Sequence, residues 1–293
     1  MSGADLTTYA DILKEYYTTQ RLVELMYQDA PLLALLPKAE KFPGENMPVV
    51  VRYGIAQGIG SQFLTARTAS QNTSALFEQF ALTRVKKYLF ATIDGETLHA
   101  TKDDDGAFVE ALTAEIDSVL MGGKRRMAYE AYRAGWGNIG VINSDTGSAT
   151  TTITLADIDD VTIWEKGMKV VFSSALNTAT LRGSGGTLTV SSVNRATGVI
   201  TFSAAITTIT SVTSGDYIFI DGERHDSATP TRRCVAGVEA WLPQTSPATD
   251  DSFFTVNRST DPTRLAGQRI SATTVPLEEA LIAGNVQVGR EGG

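Results

Sequence analysis

One cysteine, Cys234, and two histidines, His99 and His225, are the only thiol and imidazole groups in 293 residues. A single thiol excludes a disulfide-built scaffold and a thiolate metal cluster, and two imidazoles leave a zinc or haem site almost without ligands. Basic charge is also scarce: 25 Lys and Arg stand against 33 Asp and Glu, for a net charge of -8. A surface that grips a phosphate backbone needs concentrated Lys and Arg, so no tight or specific hold on nucleic acid is expected. Long apolar runs are missing. The best, LLALL at 32–36 and VITFSAAI at 199–206, fall far short of the roughly 20 residues of a spanning helix, and no membrane insertion is expected. The opening MSGADLTTYADILKEYY has neither a basic start nor a continuous apolar stretch, so no targeting segment is expected. With no G-x-S-x-G elbow, no acid–base constellation and no metal set, the chain reads as a non-enzyme without cofactors.

What is present is organised in blocks. Leu6, Tyr9, Ile12, Leu13, Tyr16 and Tyr17 recur at helical spacing, a second apolar set spans Leu22–Tyr27, and Pro31 and Pro37 bound a short apolar anchor, Leu32–Leu36. Residues 47–53 read as a strand and 76–93 as a long returning strand. The Gly-, Ser- and Thr-rich stretch between them cannot form its own core and reads as a hairpin with a flexible, partner-seeking tip. Asp103, Asp104 and Asp105 suit the positive end of a helix dipole better than a metal ion. The helix that follows carries Phe108, Leu112, Ile116, Val119 and Leu120 on one face and would run about 45 Å if unbroken to residue 134. Gly122 and Gly123 mark its predicted kink. Lys124, Arg125 and Arg126 fit a solvated or ion-paired turn more readily than a phosphate patch.

Residues 148–221 are rich in Thr, Val, Ile, Ser and Gly, with strand candidates at TTTITL, MKVVFS, GTLTVSSV, GVITFS and DYIFI and a tight hairpin at 194–198. Five or six such strands predict a small barrel or sandwich. Asp157, Asp159, Asp160 and Glu165 lack the calcium-loop register and read as solvated loop charges, and Cys234 reads as a structural thiol. Trp241 is an expected anchor, and a closing helix is expected from Pro276, its buried side formed by Leu277, Leu281, Ile282 and Val286.

The stretches LKEYYTTQRLVELMYQDAPLLALLPKAEKFPGENMPVVVRYG, FALTRVKKYLFATIDGETLHATKDDDGAFVEAL, SFFTVNRSTDPTRLAGQRI and PLEEALIAGNVQVGREGG resemble, in order and composition, the major capsid proteins of tailed bacteriophages with the Hong Kong phage-type fold. The resemblance implies an α+β chain with an N-terminal arm at 1–45 and an extended loop hairpin with peripheral-domain strands at 46–93. The spine helix and the start of an axial domain would follow at 94–147, an inserted small all-β domain at 148–225, and an incomplete axial domain at 226–293. Relatives continue past the GREGG stretch, so the chain is expected to be truncated at its C-terminus.

By the same resemblance the chain self-assembles into hexamers and pentamers of an icosahedral shell enclosing double-stranded DNA in the virion. Assembly would take place in the host cytoplasm, with scaffolding, portal and decoration proteins as further partners. Some relatives join subunits through a lysine of the extended loop and an asparagine of a neighbour. No lysine lies between Lys41 and Lys86, so noncovalent contacts are expected instead. The candidates are Leu32, Leu33, Leu35 and Leu36, Phe63 and Leu64 near the loop tip, and Arg52, Arg67 and Arg84 pairing with acidic neighbours. The alternative is a surface binding module whose β domain recognises a host glycan or protein; Trp164, Tyr217 and Phe219 fit either its binding face or a β core.

Overall fold

The computed structural model describes residues 31–37, 42, 44–92, 105–143, 150–176, 180–223, 232–248, 252–270 and 275–291, of which 105–112 are described as backbone only. The expected helices at 6–17 and 22–27, the side chains of Asp103–Asp105, and both histidines lie outside the described residues. The fold is α+β and divides into two compact units, 1–38 with 87–237 and 39–86 with 238–293.

The first unit holds a short helix α1 (Pro31–Leu35), and the second opens on strand β1 (Asn46–Arg52). Helix α2 (Phe63–Asn72) and strand β2 (Phe77–Thr83) follow, and β1 and β2 pair antiparallel from Asn46↔Thr83 to Arg52↔Phe77. Two features differ from the sequence reading. The hairpin tip contains ten residues of helix, because FLTARTASQN has neither Gly nor Pro to interrupt it. The returning strand stops at Thr83 instead of reaching 93, and Lys87 bonds instead to groups of the first unit.

Helix α3 (Asp105–Glu130) continues through Gly122 and Gly123 as one 26-residue element, where a kink was expected. Gly123 serves close packing: a Cβ there would lie 3.0 Å from the Leu89 side chain. After it come β3 (Asn138–Val141), β4 (Thr152–Thr154), β5 (Lys169–Ser173), β6 (Leu188–Asn194), β7 (Val199–Phe202) and β8 (Tyr217–Ile220). They form one antiparallel sheet in the order β3-β8-β5-β6-β7-β4. The two outer strands also meet: Ala156 N–H donates to Val141 O at 2.8 Å and Asn143 N–H to Thr154 O at 2.9 Å, closing the sheet into a barrel.

Alternation explains the barrel's core. Ile200 and Phe202 of β7 point inward with Leu188 and Val190 of β6, and Trp164, Phe172, Ile139, Ile153 and Ile218 fill the remainder. Trp164 is fully buried and its Nε1–H donates to Ile139 O at 3.1 Å, so its one polar atom is satisfied inside. A register shift between Val190 and Ser192 bends β6, as barrel closure requires. The hairpin at 194–198 forms as expected, with Gly198 at φ +69° and its N–H bonded to Asn194 O. The barrel also takes in Asn138–Val141, ahead of the expected boundary at 148. That strand was missed because Gly137 and Gly140 dilute its apolar pattern.

The second unit gathers its core around Phe80 of β2. Helix α4 (Val238–Trp241) places Trp241 against Phe80 at 5.6 Å and against Phe253 at 4.8 Å between ring centroids, the expected anchor. Strands β9 (Ser252–Phe253) and β10 (Val256–Asn257) are joined by Phe254 and Thr255, both at positive φ, as a two-residue turn requires. Phe254 O accepts from Ala81 N–H at 3.0 Å, which fixes this turn to β2. Buried Arg258 lays its guanidinium 4.1 Å from the Phe253 ring centre and donates to Ala240 O at 2.7 Å. Helix α5 (Leu277–Glu291) follows.

Candidate functional site

The first site is an exposed apolar surface on the hairpin. Phe63 and Leu64 open α2 and are 83% and 70% exposed, with Ile55, Ile59 and Phe77 also open to solvent. Residues 46–77 contain Arg52 and Arg67 and no Asp or Glu, in a chain of net charge -8. Both arginines are exposed. Arg84 is already engaged within its own unit, over the Phe42 ring at 4.5 Å and bonded to Phe42 O. Among the described residues, none of these three guanidiniums meets a carboxylate. On α1, Leu35 is exposed and Leu32 and Leu33 are half-buried, and Leu36 just after it is exposed.

Helix α5 overturns an expectation. Leu277, Leu281, Ile282 and Val286 were read as its buried side and are all exposed, with Val288 beside them. The half-buried line is Ala280, Gly284 and Gln287, spaced four and three residues apart. A Cβ at Gly284 would lie 3.3 Å from Ile270, so the small residues set the close approach and the large ones turn outward.

The second site is a buried charge cluster at the end of α3 that the sequence did not reveal. Lys87 Nζ lies 2.9 Å from Glu130 Oε1, 3.5 Å from Glu223 Oε1 and 3.2 Å from Cys234 Sγ. Arg126 Nε donates to Glu130 Oε1 at 2.8 Å, one helical turn on, and its Nη2 bonds Glu223. Burial opposes charge on Lys87, but the hydrogen bond and charge of Glu130 outweigh it and hold the ammonium above its usual range. Burial likewise pushes Glu130 up, and Lys87 and Arg126 together bring its carboxyl below the usual range. Burial, then Glu130, raises the Cys234 thiol. Glu130 Oε2 and Arg126 Nη1 are buried without a hydrogen-bond partner.

Glu130, Glu223 and Cys234 are also the described residues able to hold a cation, their ligand atoms all within 4.8 Å of one another. The Lys87 ammonium reaches all three, and with Arg126 it balances both carboxylates. Nothing could have flagged this cluster from spacing, since its members come from positions 87, 126, 130, 223 and 234.

The other sequence candidates disperse. Asp157 caps the 3-10 turn Ile158–Ile163 by accepting from Asp159 N–H at 3.0 Å. Asp160, read as a solvated charge, is buried and bonded by Tyr129 Oη–H at 3.0 Å and by Arg133, because the barrel docks on the end of α3 at that point. Glu165 pairs with Arg125 at 3.3 Å and Arg195 at 2.8 Å beside a cleft of about 440 Å³ that Met121, Arg126 and Glu223 also line. Arg125 and Arg126 are thus ion-paired, as the sequence favoured. Trp164 is fully buried in the barrel core, Phe219 is also fully buried and Tyr217 is half-buried, so Trp164 and Phe219 offer no binding face. Among the described residues no helix is long and apolar enough to cross a membrane. No family model, curated protein or solved structure matches the chain.

Proposed function

We propose that this chain is a major capsid protein of the tailed-bacteriophage type, a subunit that self-assembles into hexamers and pentamers of an icosahedral shell around double-stranded DNA. It has no chemical step of its own. The observation that carries this reading is the hairpin of β1, α2 and β2. It exposes Ile55, Ile59, Phe63 and Leu64, and from Asn46 to Phe77 it carries positive charge only, on a chain of net charge -8. A monomer gains nothing from such a segment, whereas a ring of identical acidic neighbours gives it both an apolar seat and opposite charge.

The order of elements supports the same reading: a paired hairpin precedes a 26-residue helix, and a barrel follows as an excursion from the chain. Residues 1–45 would then be the arm, α3 the spine helix, the barrel an inserted domain, and 226–293 part of the axial domain. Scaffolding, portal and decoration proteins would be its further partners, and the virion its location.

Negative-stain microscopy and sedimentation velocity of the purified chain test this directly. Uniform hollow particles, or hexamers and pentamers, are expected. A chain that stays monomeric at high concentration and binds glycans would overturn the shell and favour a binding module.

A further inference from the structure

We propose that Lys87 and Cys234 are a modification site: on exposure to dioxygen they join through an N–O–S bridge inside the first unit. The reacting atoms are already in contact, Nζ at 3.2 Å from Sγ. Both are held. Glu130 and Glu223 bond the ammonium, and Cys234 N–H donates to Gly135 O at 3.2 Å, so little freedom remains to be lost on reaction. A second observation is independent of the cysteine. Glu130 is 2% exposed, and its Oε2, in the same cluster, has no hydrogen-bond partner. Its other oxygen, Oε1, lies 2.9 Å from Nζ and holds the ammonium in place.

The step balances as one ammonium, one thiol and one dioxygen giving one N–O–S bridge, one water and one proton. Two N–H bonds, the S–H bond and the O–O bond break; N–O, O–S and the two O–H bonds of water form, and one N–H stays on nitrogen. Nitrogen and sulfur are oxidised and dioxygen is reduced. One oxygen atom stays in the bridge, the other leaves as water with the thiol proton and one ammonium proton, and a second ammonium proton is released to solvent, to which the Lys87 side chain is 28% exposed. Cys234 is the only cysteine in the sequence, so no disulfide within the chain competes. Its burial shuts out bulky reagents but not dioxygen. The bridge would close the chain from 87 to 234, next to the position where it re-enters this unit and the one where it last leaves it. It does not depend on the capsid reading.

Intact-mass measurement of the full chain, purified under dithiothreitol and then aerated, tests the proposal. The expected result is a gain of about 14 Da, one oxygen added and two hydrogens lost, which dithiothreitol reverses. A cross-linked peptide should contain both residues, and trypsin should no longer cut after Lys87. Lys87→Arg, which keeps the charge, and Cys234→Ser should each abolish the gain. Three results would overturn it: no gain in aerated wild-type protein, a series of about 16 Da steps on Cys234 with the Lys87 peptide unmodified, or the same gain in Lys87→Arg.

Discussion

Lys87 and Glu130 form an ion pair of 2.9 Å in which the carboxylate side chain is 3% exposed and the ammonium 28% exposed. The carboxylate sits deep and also holds Arg126, so two cations depend on a single buried anion. Its removal leaves both to share the half-buried Glu223.

Glu130→Ala is therefore expected to destabilise the first unit by about 3–5 kcal/mol, the range for breaking a buried pair. Urea unfolding of the variant measures this. A loss below about 1 kcal/mol would place the pair with exposed surface bridges instead.

This cluster, with Asp261 of the second unit, limits stability at both ends of the pH scale. Glu130 and Asp261 have carboxyls held below their usual range. Such groups contribute stability above the unfolded value, about 4 for carboxylates, and lose it as pH falls through the folded value. Lys87 and Cys234 are raised, so their contribution is complete below the unfolded values, about 10.4 and 8.5, and is lost as pH rises toward the folded ones. The urea midpoint should be level near neutrality and fall on both sides, and Glu130→Ala should flatten the acid limb. An acid limb unchanged in the variant would assign that fall to other carboxylates.

Strands β4 to β8 were legible because Val, Ile and Thr alternate along them between Gly-containing turns. Helix α3 was legible from its apolar spacing, but the effect of Gly123 was not, because the Leu89 side chain that lies against it comes from another segment. Helix α5 was read correctly in place and wrongly in orientation. Periodicity locates an apolar stripe but does not say whether the chain itself covers it, and here Ala280 and Gly284 face inward instead. The charge cluster was invisible because a buried Glu and an exposed Glu look identical in a sequence until the opposing cations are placed.

The hairpin tip gives a separation of assembly from stability. Phe63→Ser with Leu64→Ser alters exposed side chains and should change unfolding free energy by no more than about 0.5 kcal/mol. Sedimentation should show loss of the assembled species. Arg67→Glu should weaken assembly most at low salt, and equal effects at low and high salt would remove the electrostatic part of the contact.

Trp164 is the corresponding test of the barrel. Trp164→Ala should cost about 3–5 kcal/mol, since it empties the centre of the core and frees Ile139 O. Near-ultraviolet circular dichroism and thermal unfolding would register the loss, and a variant as stable as wild type would show that the barrel does not rely on this ring.

The barrel departs and returns across one rung of a ladder. Ile142 N–H donates to Asp216 O, and Gly215 N–H donates to Ile142 O, each at 2.9 Å. Facing strands stand about 5 Å apart, so to the chain on either side the whole excursion is as short as a single step. It behaves as a cassette: its length and contents can vary without displacing α3 or the segment that begins at Arg232. The ties that restrain exchange at this face include the Asp160 carboxylate to Tyr129 and Arg133 and Glu165 to Arg125. A replacement that restored an acid there could be carried by the same chain.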